Sequence, residues 1–310
     1  MDISDSSVLV PGGNGFLGSW VVDHLRDRGA RVVSASKRDD FDFRTYDDVD
    51  RILSNHQFDA VVNCAVDVGG IQYVNERPCD VYYHNIRMSS HLLEGARRHD
   101  VERFVNPIAN CTYPAELTGE FSEDEWWNGP MHESVEPFAI TRKSSWVQAK
   151  TYAEAGHFDV VNPILPNMYG PRDDFDEEAS HALGALVMKF VEAGRNDRQT
   201  VTVWGTGTPV REWLYVEDAA EALVRSLSVP STVEPINIGC GNGLSIMALA
   251  ELIKDVVGYD GNIVLDESKP DGDPYRVLDV SRMRDHYDWE PPTSIRDGIA
   301  QTVAWYRENK

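Results

Sequence analysis

Three glycines near the N-terminus constrain the fold of this chain more than any other feature. Gly12, Gly15 and Gly18 follow the apolar run 8–10 directly, and beyond them apolar residues recur at helical spacing through Leu25. Glycines at this spacing allow a tight turn, the close approach of a pyrophosphate to the backbone, and close packing of the next helix. The spacing alone is unspecific, but its place between a strand and a helix favours a dinucleotide site over a simple turn.

Strand-like and helix-like segments alternate through the first half of the chain. Short apolar runs predict strands, and apolar residues at helical spacing predict helices. The predicted strands cover residues 31–36, 60–65, 103–105 and 158–162, and the predicted helices cover 46–55, 80–99 and 138–155. Because strands that alternate with helices form a doubly wound parallel sheet, the expected fold class is α/β of the Rossmann type.

The pattern becomes irregular after residue 165. Helices are expected near 181–193, 216–227, 246–257 and 295–308, and short strands near 201–204 and 235–238. No internal repeat or linker separates the two halves. We therefore expect a dinucleotide-binding core at 1–165 and a smaller, mixed lobe at 166–310 that mainly binds the substrate, with some of its segments returning to the core.

Composition disfavours several classes of function. The 29 Lys and Arg residues against 51 Asp and Glu give a formal net charge of −22, so nucleic acid and anionic membranes are not expected as partners. No apolar stretch is long enough to span a bilayer and the first residues lack a signal-peptide pattern, so a cytoplasmic location is expected. The sequence has four cysteines, Cys64, Cys79, Cys111 and Cys240, and no two of them form a CxxC pair. Neither a zinc site nor a disulfide scaffold is therefore predicted, and no other metal site is expected.

The end of the second predicted strand bears on the choice of cofactor. Residues 34–38 have the sequence Ser-Ala-Ser-Lys-Arg, without an Asp or Glu to accept a hydrogen bond from an adenosine ribose 2′-hydroxyl. Lys37 and Arg38 could instead pair with a 2′-phosphate. The sequence therefore favours NADP, and NAD is the alternative if these two charges are simply solvated.

Longer motifs are found along the rest of the chain. They are VDVGGI at 66–71, CTYP at 111–114, NMYGP at 167–171, SH at 180–181, VWGTGTPVREW at 203–213 and LDVSR at 278–282. In these motifs the chain resembles the extended short-chain dehydrogenase/reductase (NAD-dependent epimerase/dehydratase) family, and most closely its branch that epimerises and reduces GDP-4-keto-6-deoxymannose. The predicted cofactor contacts include Asn63 and Asn85, and the resemblance implies a homodimer formed through helices around 85–99 and 138–155.

The residues that the family uses for reduction are altered. The family uses a Tyr-x-x-x-Lys pair on one helix and a serine: the tyrosine gives the proton, the lysine lowers its pKa, and the serine orients the ketone. In this sequence the matching positions hold Phe138, Arg142 and Ala109. Loss of a positioned acid typically slows such chemistry by about 10²–10⁴-fold. The resemblance therefore implies that reduction is lost unless Tyr113 or another group substitutes.

The pair that the family uses for epimerisation is retained. Beside a 4-keto group the hydrogens on C3 and C5 are acidic, and a base on one face with an acid on the other inverts the carbon. Cys111 and His181 match the family's pair, which implies Cys111 as the base and His181 as the acid. Without the resemblance, a lone cysteine and a lone histidine would be interpreted as structural residues.

The resemblance also implies a nucleotide-sugar site in the second half. Asn167 matches a residue that meets the diphosphate, although an asparagine in a turn often makes only local hydrogen bonds. Lys189, Trp204 and Arg211 fall where the family contacts guanine and diphosphate, because an indole can stack on a base and an arginine can bind phosphate. Arg276 is a further candidate phosphate contact. The alternative is that Trp204 is a core residue and Arg211 forms a surface ion pair.

Three functions remain open from the sequence. The leading hypothesis is an epimerase of a nucleotide-activated 4-keto-6-deoxy sugar, with GDP as the expected nucleotide. The second is an NADPH-dependent epimerase-reductase with an unrecognised proton donor, and the third is a non-catalytic protein that binds nucleotide sugar or NADP. The motifs leave open which sugar is used and whether C3, C5 or both invert.

Overall fold

Strands and helices alternate along the chain, which the computed structural model describes at residues 1–175, 182–269 and 271–310. The strands are β1 (Ser7–Pro11), β2 (Arg31–Ala35), β3 (Ala60–Val62), β4 (Arg103–Val105), β5 (Ile108–Ala109), β6 (Asp159–Leu165), β7 (Asn167–Tyr169), β8 (Thr200–Trp204), β9 (Val210–Arg211), β10 (Trp213–Tyr215), β11 (Pro235–Asn237), β12 (Leu244–Ser245), β13 (Asn262–Asp266) and β14 (Tyr275–Arg276). The helices are α1 (Phe16–Asp27), α2 (Tyr46–Asn55), α3 (Ile71–Glu76), α4 (Pro78–Arg98), α5 (Glu136–Glu154), α6 (Ala182–Arg195), α7 (Val216–Arg225), α8 (Ile246–Val257), α9 (Ser281–Tyr287) and α10 (Ile295–Asn309). This alternation confirms the predicted α/β class.

A parallel sheet in the order β11-β6-β4-β3-β1-β2 forms the centre, and β5 also pairs with β6. Val8, Leu9 and Val10 of β1 are fully buried. When both faces of a parallel sheet are covered, its strands are continuous apolar runs, and these three residues form such a run. The fold is therefore the doubly wound Rossmann type that the sequence predicts.

The order of the sheet reverses at β1, because β2 pairs with one edge of this strand and β3 with the other. Ligands of such sheets bind in the crevice at this reversal, at the carboxyl ends of the strands. The glycine turn follows β1 directly, and Asn63 follows β3. The fold therefore brings the predicted dinucleotide turn and the chain after β3 to the same crevice.

Two segments of the second half pack with the central sheet and its helices. β11 pairs in parallel with β6, and α7 packs against α1. The remaining strands form small sheets in which β7 pairs with β10, β8 with β13, and β9 with both β12 and β14. The chain after residue 165 thus contributes to both parts of the molecule, and the predicted boundary itself stays a prediction.

The predicted helices are found close to their predicted ends, but several short elements were missed. α8 covers 246–257 as predicted, whereas β6 extends three residues past its predicted end, to Leu165. The sequence pattern did not indicate α3, α9 or β13. Each is short, and β13 is half-exposed and pairs with β8, which lies far away along the chain. Such elements are selected by tertiary contacts more than by local pattern.

None of the helices in the described ranges is long and apolar enough to cross a bilayer.

The surfaces of α4 and α5 bear on the predicted homodimer. The two helices pack against each other. Both also expose large apolar side chains, among them Tyr82, Tyr83, Ile140 and Val147. These side chains are compatible with an interface at this helix pair, and the homodimer stays a prediction.

Replacement of Gly18 by alanine should destabilise the protein. A Cβ at this position would lie 2.2 Å from the carbonyl oxygen of Gly12, so α1 would have to move away from the glycine turn. We expect the free energy of unfolding, measured with urea, to fall by about 1–3 kcal/mol. The control is Gly194→Ala in α6, where an added Cβ meets no atom of the described residues within 4 Å. This control should keep or gain stability by about 0.5–1 kcal/mol, and equal stability of both variants would contradict the prediction.

Candidate functional site

The glycine turn depends on close backbone approaches. Gly12 has a φ of +75°, and a Cβ there would lie 2.6 Å from the carbonyl carbon of Cys64, so this turn rests directly on the chain after β3. Gly15 precedes α1, and its position provides no side-chain cap for the first turn of that helix. The amides at this helix start can therefore face a pyrophosphate. Together with the close approach at Gly18, this geometry fits the predicted dinucleotide site.

The turn after β2 carries both a cation and a carboxylate. Lys37 is exposed there, and the side chain of Arg38 lies outside the described residues. Asp39 Oδ2 accepts hydrogen bonds from Asn14 Nδ2 at 2.7 Å and from Ser36 Oγ at 2.9 Å. The expectation that no acceptor stands near this turn is therefore wrong. The sequence missed Asp39 because it reaches the glycine turn only through the tight turn that follows β2.

Asn63 and Asn85, the two predicted cofactor contacts at the crevice, are both buried. Asn63 Oδ1 accepts a hydrogen bond from the Ala65 amide at 3.1 Å. Asn85 donates to the carbonyl of Asp67 at 2.7 Å and accepts from its amide at 3.0 Å. Both side chains thus form hydrogen bonds with the backbone of the chain after β3, and direct contact with a cofactor stays a prediction.

The altered reductase positions lie together with Cys111. Ala109 ends β5, and Cys111 lies in the short 3-10 turn Asn110–Thr112 that follows. The side chains of Ala109 and Cys111 pack against a small buried cluster made of Phe138 from α5 and two valines from α3 and α4. A ring without a hydroxyl therefore lies beside the candidate acid–base cysteine.

Burial determines the protonation state of Cys111. It raises the pKa of the thiol to about 11, while the cations Arg276 and Arg142 oppose this shift. In the protein without substrate, Cys111 is therefore a neutral thiol at neutral pH. A neutral thiol is a proton donor rather than a base. His181, the predicted second member of the pair, lies outside the described residues, and its place beside Cys111 stays a prediction.

Arg142 lies buried one helical turn after Phe138. Its Nη2 donates to Ser89 Oγ at 2.9 Å and to Asn85 Oδ1 at 3.3 Å. The guanidinium carbon is 5.5 Å from the centre of the Phe138 ring. Burial lowers the pKa of Arg142 to about 10, so the side chain remains a cation at neutral pH. The position of the family's lysine thus keeps its charge in this chain.

Two other groups near these positions cannot replace the missing chemistry. Tyr113, the suggested substitute donor, is fully buried, and its hydroxyl donates to Asn237 Oδ1 at 2.8 Å. Burial also raises its pKa, so the hydroxyl neither reaches a substrate nor ionises readily. Lys143 follows Arg142 on α5, but its Nζ donates to the Trp126 carbonyl at 2.8 Å. The suggestion that Tyr113 takes over the role of the family's tyrosine is therefore wrong.

Trp204 lies at the surface and not in the core, since 45% of its area is exposed. The ammonium groups of Lys189 and Lys269 lie 4.9 and 5.0 Å from the centre of its indole ring. An exposed indole with two nearby cations can stack on a base and attract the phosphates attached to it. The structure thus brings Trp204 and Lys189 together. The sequence missed Lys269, because the pairing of β13 with β8 is what places it here.

Arg211 and Arg276 stand side by side on the paired strands β9 and β14. Arg276 is buried, forms an ion pair with Asp273, and donates from Nη1 to the Asn110 carbonyl at 2.9 Å. It therefore reaches the residue next to Cys111. Burial, together with the neighbouring Arg276, lowers the pKa of Arg211. Arg211 forms no ion pair within the ranges that the structure describes, which argues against the alternative of a surface ion pair.

Contacts connect these groups in one order. Asp271 accepts a hydrogen bond from the Thr206 amide at 2.7 Å, two residues after Trp204. Gly272 lies beside Arg211, since a Cβ there would be 3.4 Å from its guanidinium. The pairing of β9 with β14 brings Arg211 beside Arg276, and Arg276 contacts the turn that carries Cys111. The site thus contains, in order, an indole that can stack on a base, guanidinium groups that can bind phosphates, and a thiol that can act on a sugar. This order fits a nucleotide sugar.

Asn167 and His132 lie near this row of groups. Asn167 Nδ2 donates to the Glu212 carbonyl at 3.3 Å, which is a contact between segments far apart in the chain and not the local hydrogen bond of the alternative interpretation. His132 Nε2 lies 3.7 Å from Oδ1 of Asp273, the ion-pair partner of Arg276. Sequence reasoning missed His132, because only this tertiary contact brings its loop to the site. Across residues 1–175, 182–269 and 271–310, no group of three His, Cys, Asp or Glu residues could hold a metal ion.

Comparison with known proteins identifies the family. Residues 8–239 match the sequence profile of the NAD dependent epimerase/dehydratase family, and the chain belongs to that family. GDP-L-fucose synthase 1 of Arabidopsis thaliana is 33% identical, over 100% of this chain and 95% of that protein. GDP-L-fucose synthase of Escherichia coli (strain K12) is 32% identical, over 99% of this chain and 98% of that protein. The resemblance seen in the sequence is thus confirmed.

Solved structures support the same assignment. The crystal structure of a GDP-L-fucose synthetase from Naegleria fowleri has a TM-score of 0.89 and 25% identity, and the match covers 99% of this chain and 94% of that one. A structure of a GDP-L-fucose synthetase from the same organism bound to NADP matches with a TM-score of 0.87, at the same identity and coverage.

Replacement of Asp39 by asparagine should shift the relative affinity for the two cofactors toward NADP(H) and away from NAD(H). A carboxylate beside the glycine turn repels a 2′-phosphate and accepts a hydrogen bond from a 2′-hydroxyl. We expect the ratio of the dissociation constants for NADPH and NADH to shift about tenfold, or ~1.4 kcal/mol, in fluorescence titrations. Asp40→Asn, at the next and also exposed position, is the control with the same change of charge. An unchanged ratio in Asp39→Asn would mean that the adenosine ribose binds elsewhere.

Proposed function

We propose that this protein epimerises a nucleotide-activated 4-keto-6-deoxy sugar, with GDP as the nucleotide, at C3, C5 or both. Two relatives that match it over nearly their whole length are named GDP-L-fucose synthases. The order of Trp204, Arg211, Arg276 and Cys111 along the site suits a base, a diphosphate and a sugar. This order supports a nucleotide sugar whose ring lies at the Cys111 end.

The absence of a proton donor for reduction carries the proposal. Phe138 occupies the position of the family's tyrosine, Ala109 that of its serine, and Arg142 that of its lysine. Ala109 and Phe138 lie in one cluster with Cys111, so the change affects the same place where the ketone would bind. Hydride transfer to a ketone needs a proton for the alkoxide that forms, and neither Ala109 nor Phe138 can donate one. Epimerisation needs only a base and an acid.

Cys111 and His181 are the proposed acid–base pair. One group removes the proton from C3 or C5, and the electrons of that C–H bond move onto the ketone oxygen as an enolate. The other group then delivers a proton to the opposite face, so a C–H bond breaks, a C–H bond forms, and no redox change occurs. The sequence suggested Cys111 as the base. Because burial keeps the thiol protonated, we propose that Cys111 donates the proton and that His181 removes it.

The glycine turn and Lys37 support a bound dinucleotide, and NADP is the proposed one. Such a cofactor supplies hydride chemistry in the relatives' fold when it is bound. In this chain Gly12, Gly15 and Gly18 would hold its pyrophosphate, and Lys37 its 2′-phosphate. Without a proton donor at position 138, the residues of this chain support a structural role for the dinucleotide.

The exchange of substrate hydrogens with solvent tests the acid–base pair. NMR of GDP-4-keto-6-deoxymannose in D₂O, without NADPH, should show deuterium at C3 or C5 with the wild-type protein. Cys111→Ser and His181→Gln should each slow this exchange by about 100-fold or more. Cys79→Ala, which removes an exposed thiol, is the control and should exchange at the wild-type rate. Full exchange in both site variants would exclude the pair, and tight binding without any exchange would indicate a binding protein.

The epimerase-reductase is the second candidate, favoured by the names of the relatives. Restoring the triad distinguishes the two functions. The wild-type protein should not oxidise NADPH in the presence of the ketosugar, whereas Ala109→Ser/Phe138→Tyr/Arg142→Lys should gain NADPH oxidation, followed by absorbance. The matched control Ala109→Ser/Arg142→Lys keeps Phe138 and should stay inactive as a reductase. Substrate-dependent NADPH oxidation by the wild-type protein would overturn the epimerase proposal.

A further inference from the structure

Arg142 is a buried cation without an anionic partner in the described part of the chain. Only 3% of its surface is exposed. Its hydrogen-bond partners, Ser89 Oγ and Asn85 Oδ1, are neutral, and its Nε is buried without a hydrogen-bond partner among the described residues. A buried charge is costly unless an opposite charge compensates it. The position therefore needs an explanation beyond packing.

Two other buried cations in the described ranges lie close to a carboxylate. Arg276 forms an ion pair with Asp273, and Arg103 lies 3.9 Å from the carboxylate of Asp159. Lys143, the neighbour of Arg142, places its ammonium over the rings of two tryptophans and bonds a carbonyl oxygen. Arg142, like Lys143, has neutral partners and an aromatic ring nearby, and this ring is Phe138, where the family's lysine has a tyrosine. In this chain the group at position 138 cannot become an anion.

Cys111 is a group near Arg142 that can become an anion, and Tyr73, which packs against the same cluster, is another. The 3-10 turn that carries Cys111 packs against α5, and the cysteine side chain contacts the same cluster as Phe138. The charged groups that act on the thiol are Arg142 from α5, Arg276 from β14 and Asp273 just before β14. The two arginines favour the thiolate, and Asp273 opposes it. Arg142 has no carboxylate of its own among the described residues, so its charge is not offset as that of Arg276 is.

We propose that Arg142 is a positioning residue for Cys111, and that its charge stabilises the thiolate that Cys111 forms when it gives up its proton. When Cys111 donates its proton in epimerisation, its sulfur atom is left with a negative charge. The base on the other face of the sugar then holds the proton that it removed from carbon. In this chain Arg142, at the lysine position of the family's triad, thus acts on Cys111. The catalytic meaning of this inference rests on the proposed function, but the electrostatic effect on the thiol does not.

Alkylation of Cys111 as a function of pH tests the proposal in the full-length protein. Iodoacetamide reacts with the thiolate, and mass spectrometry of the Cys111 peptide gives the rate for this cysteine alone. Arg142→Met should raise the apparent pKa of Cys111 by about one unit, so alkylation below that pKa slows about tenfold. Arg142→Lys keeps the charge and should stay within about twofold of the wild-type rate.

Lys143→Met is the matched control, because it removes a buried cation from the adjacent position of the same helix. It should leave the pH profile of Cys111 unchanged. Arg142→Gln is a second neutral variant in case Arg142→Met does not fold, as judged by thermal unfolding. A wild-type pH profile in a folded, neutral Arg142 variant would overturn the proposal. A parallel drop at all pH values would do so too, because it would show changed access rather than changed charge.

The same variants separate this inference from the proposed function. A shifted alkylation profile in Arg142→Met, with no deuterium exchange in the wild-type protein, would keep the effect on the thiol and reject the epimerase. Exchange in the wild-type protein, with no shift of the profile, would keep the epimerase and reject the role of Arg142.

Discussion

The glycine turn lies directly on the backbone of the chain after β3, and this contact positions both the crevice of the central sheet and α1. Gly12 rests on the backbone of Cys64, and Gly18 lets α1 approach the carbonyl of Gly12. This contact defines the crevice where the sheet order reverses, and it sets the position of α1. Because α7 packs on α1 and directly follows β10, the same contact also links the central sheet to the second half that carries Trp204 and Arg211.

The chemistry of the site depends on the two hydroxyls that this chain lacks at the family's serine and tyrosine positions, and on the positive charge that it keeps at the lysine position. Ala109 and Phe138 give the cluster beside Cys111 an apolar surface, while Arg142 keeps a cation buried behind it. Apolar burial disfavours the thiolate, and the nearby cations favour it. Proton transfer at a carbon beside a ketone needs groups that can both hold and release a proton, so this balance suits epimerisation better than reduction.

Much of the fold was predictable, but the site was predictable only in part. The buried apolar run of β1 and the amphipathic α8 follow from local pattern, since their periodicity alone indicates their structure. Trp204 was singled out as a candidate contact for a base, which stays a prediction, and its exposure shows that it is not a core residue. Asp39 and Lys269 were missed, because each reaches the site through a turn or a strand pairing that local pattern does not reveal. Tyr113 was suggested as a donor from its neighbourhood in sequence, yet its hydroxyl is enclosed in the core.

Chain periodicity and the covalent structure of the residues already establish the doubly wound class, the glycine turn and the lack of a dissociable proton at Phe138. That Ala109, Phe138 and Cys111 share one cluster, and that Arg142 has neutral partners, follows from tertiary packing. Burial and pairing of a charge depend on residues far apart in the chain, since Asn85 and Ser89 of α4 meet Arg142 of α5 only when these two helices pack. The protonation of Cys111 follows from that packing and from the approach of Arg276.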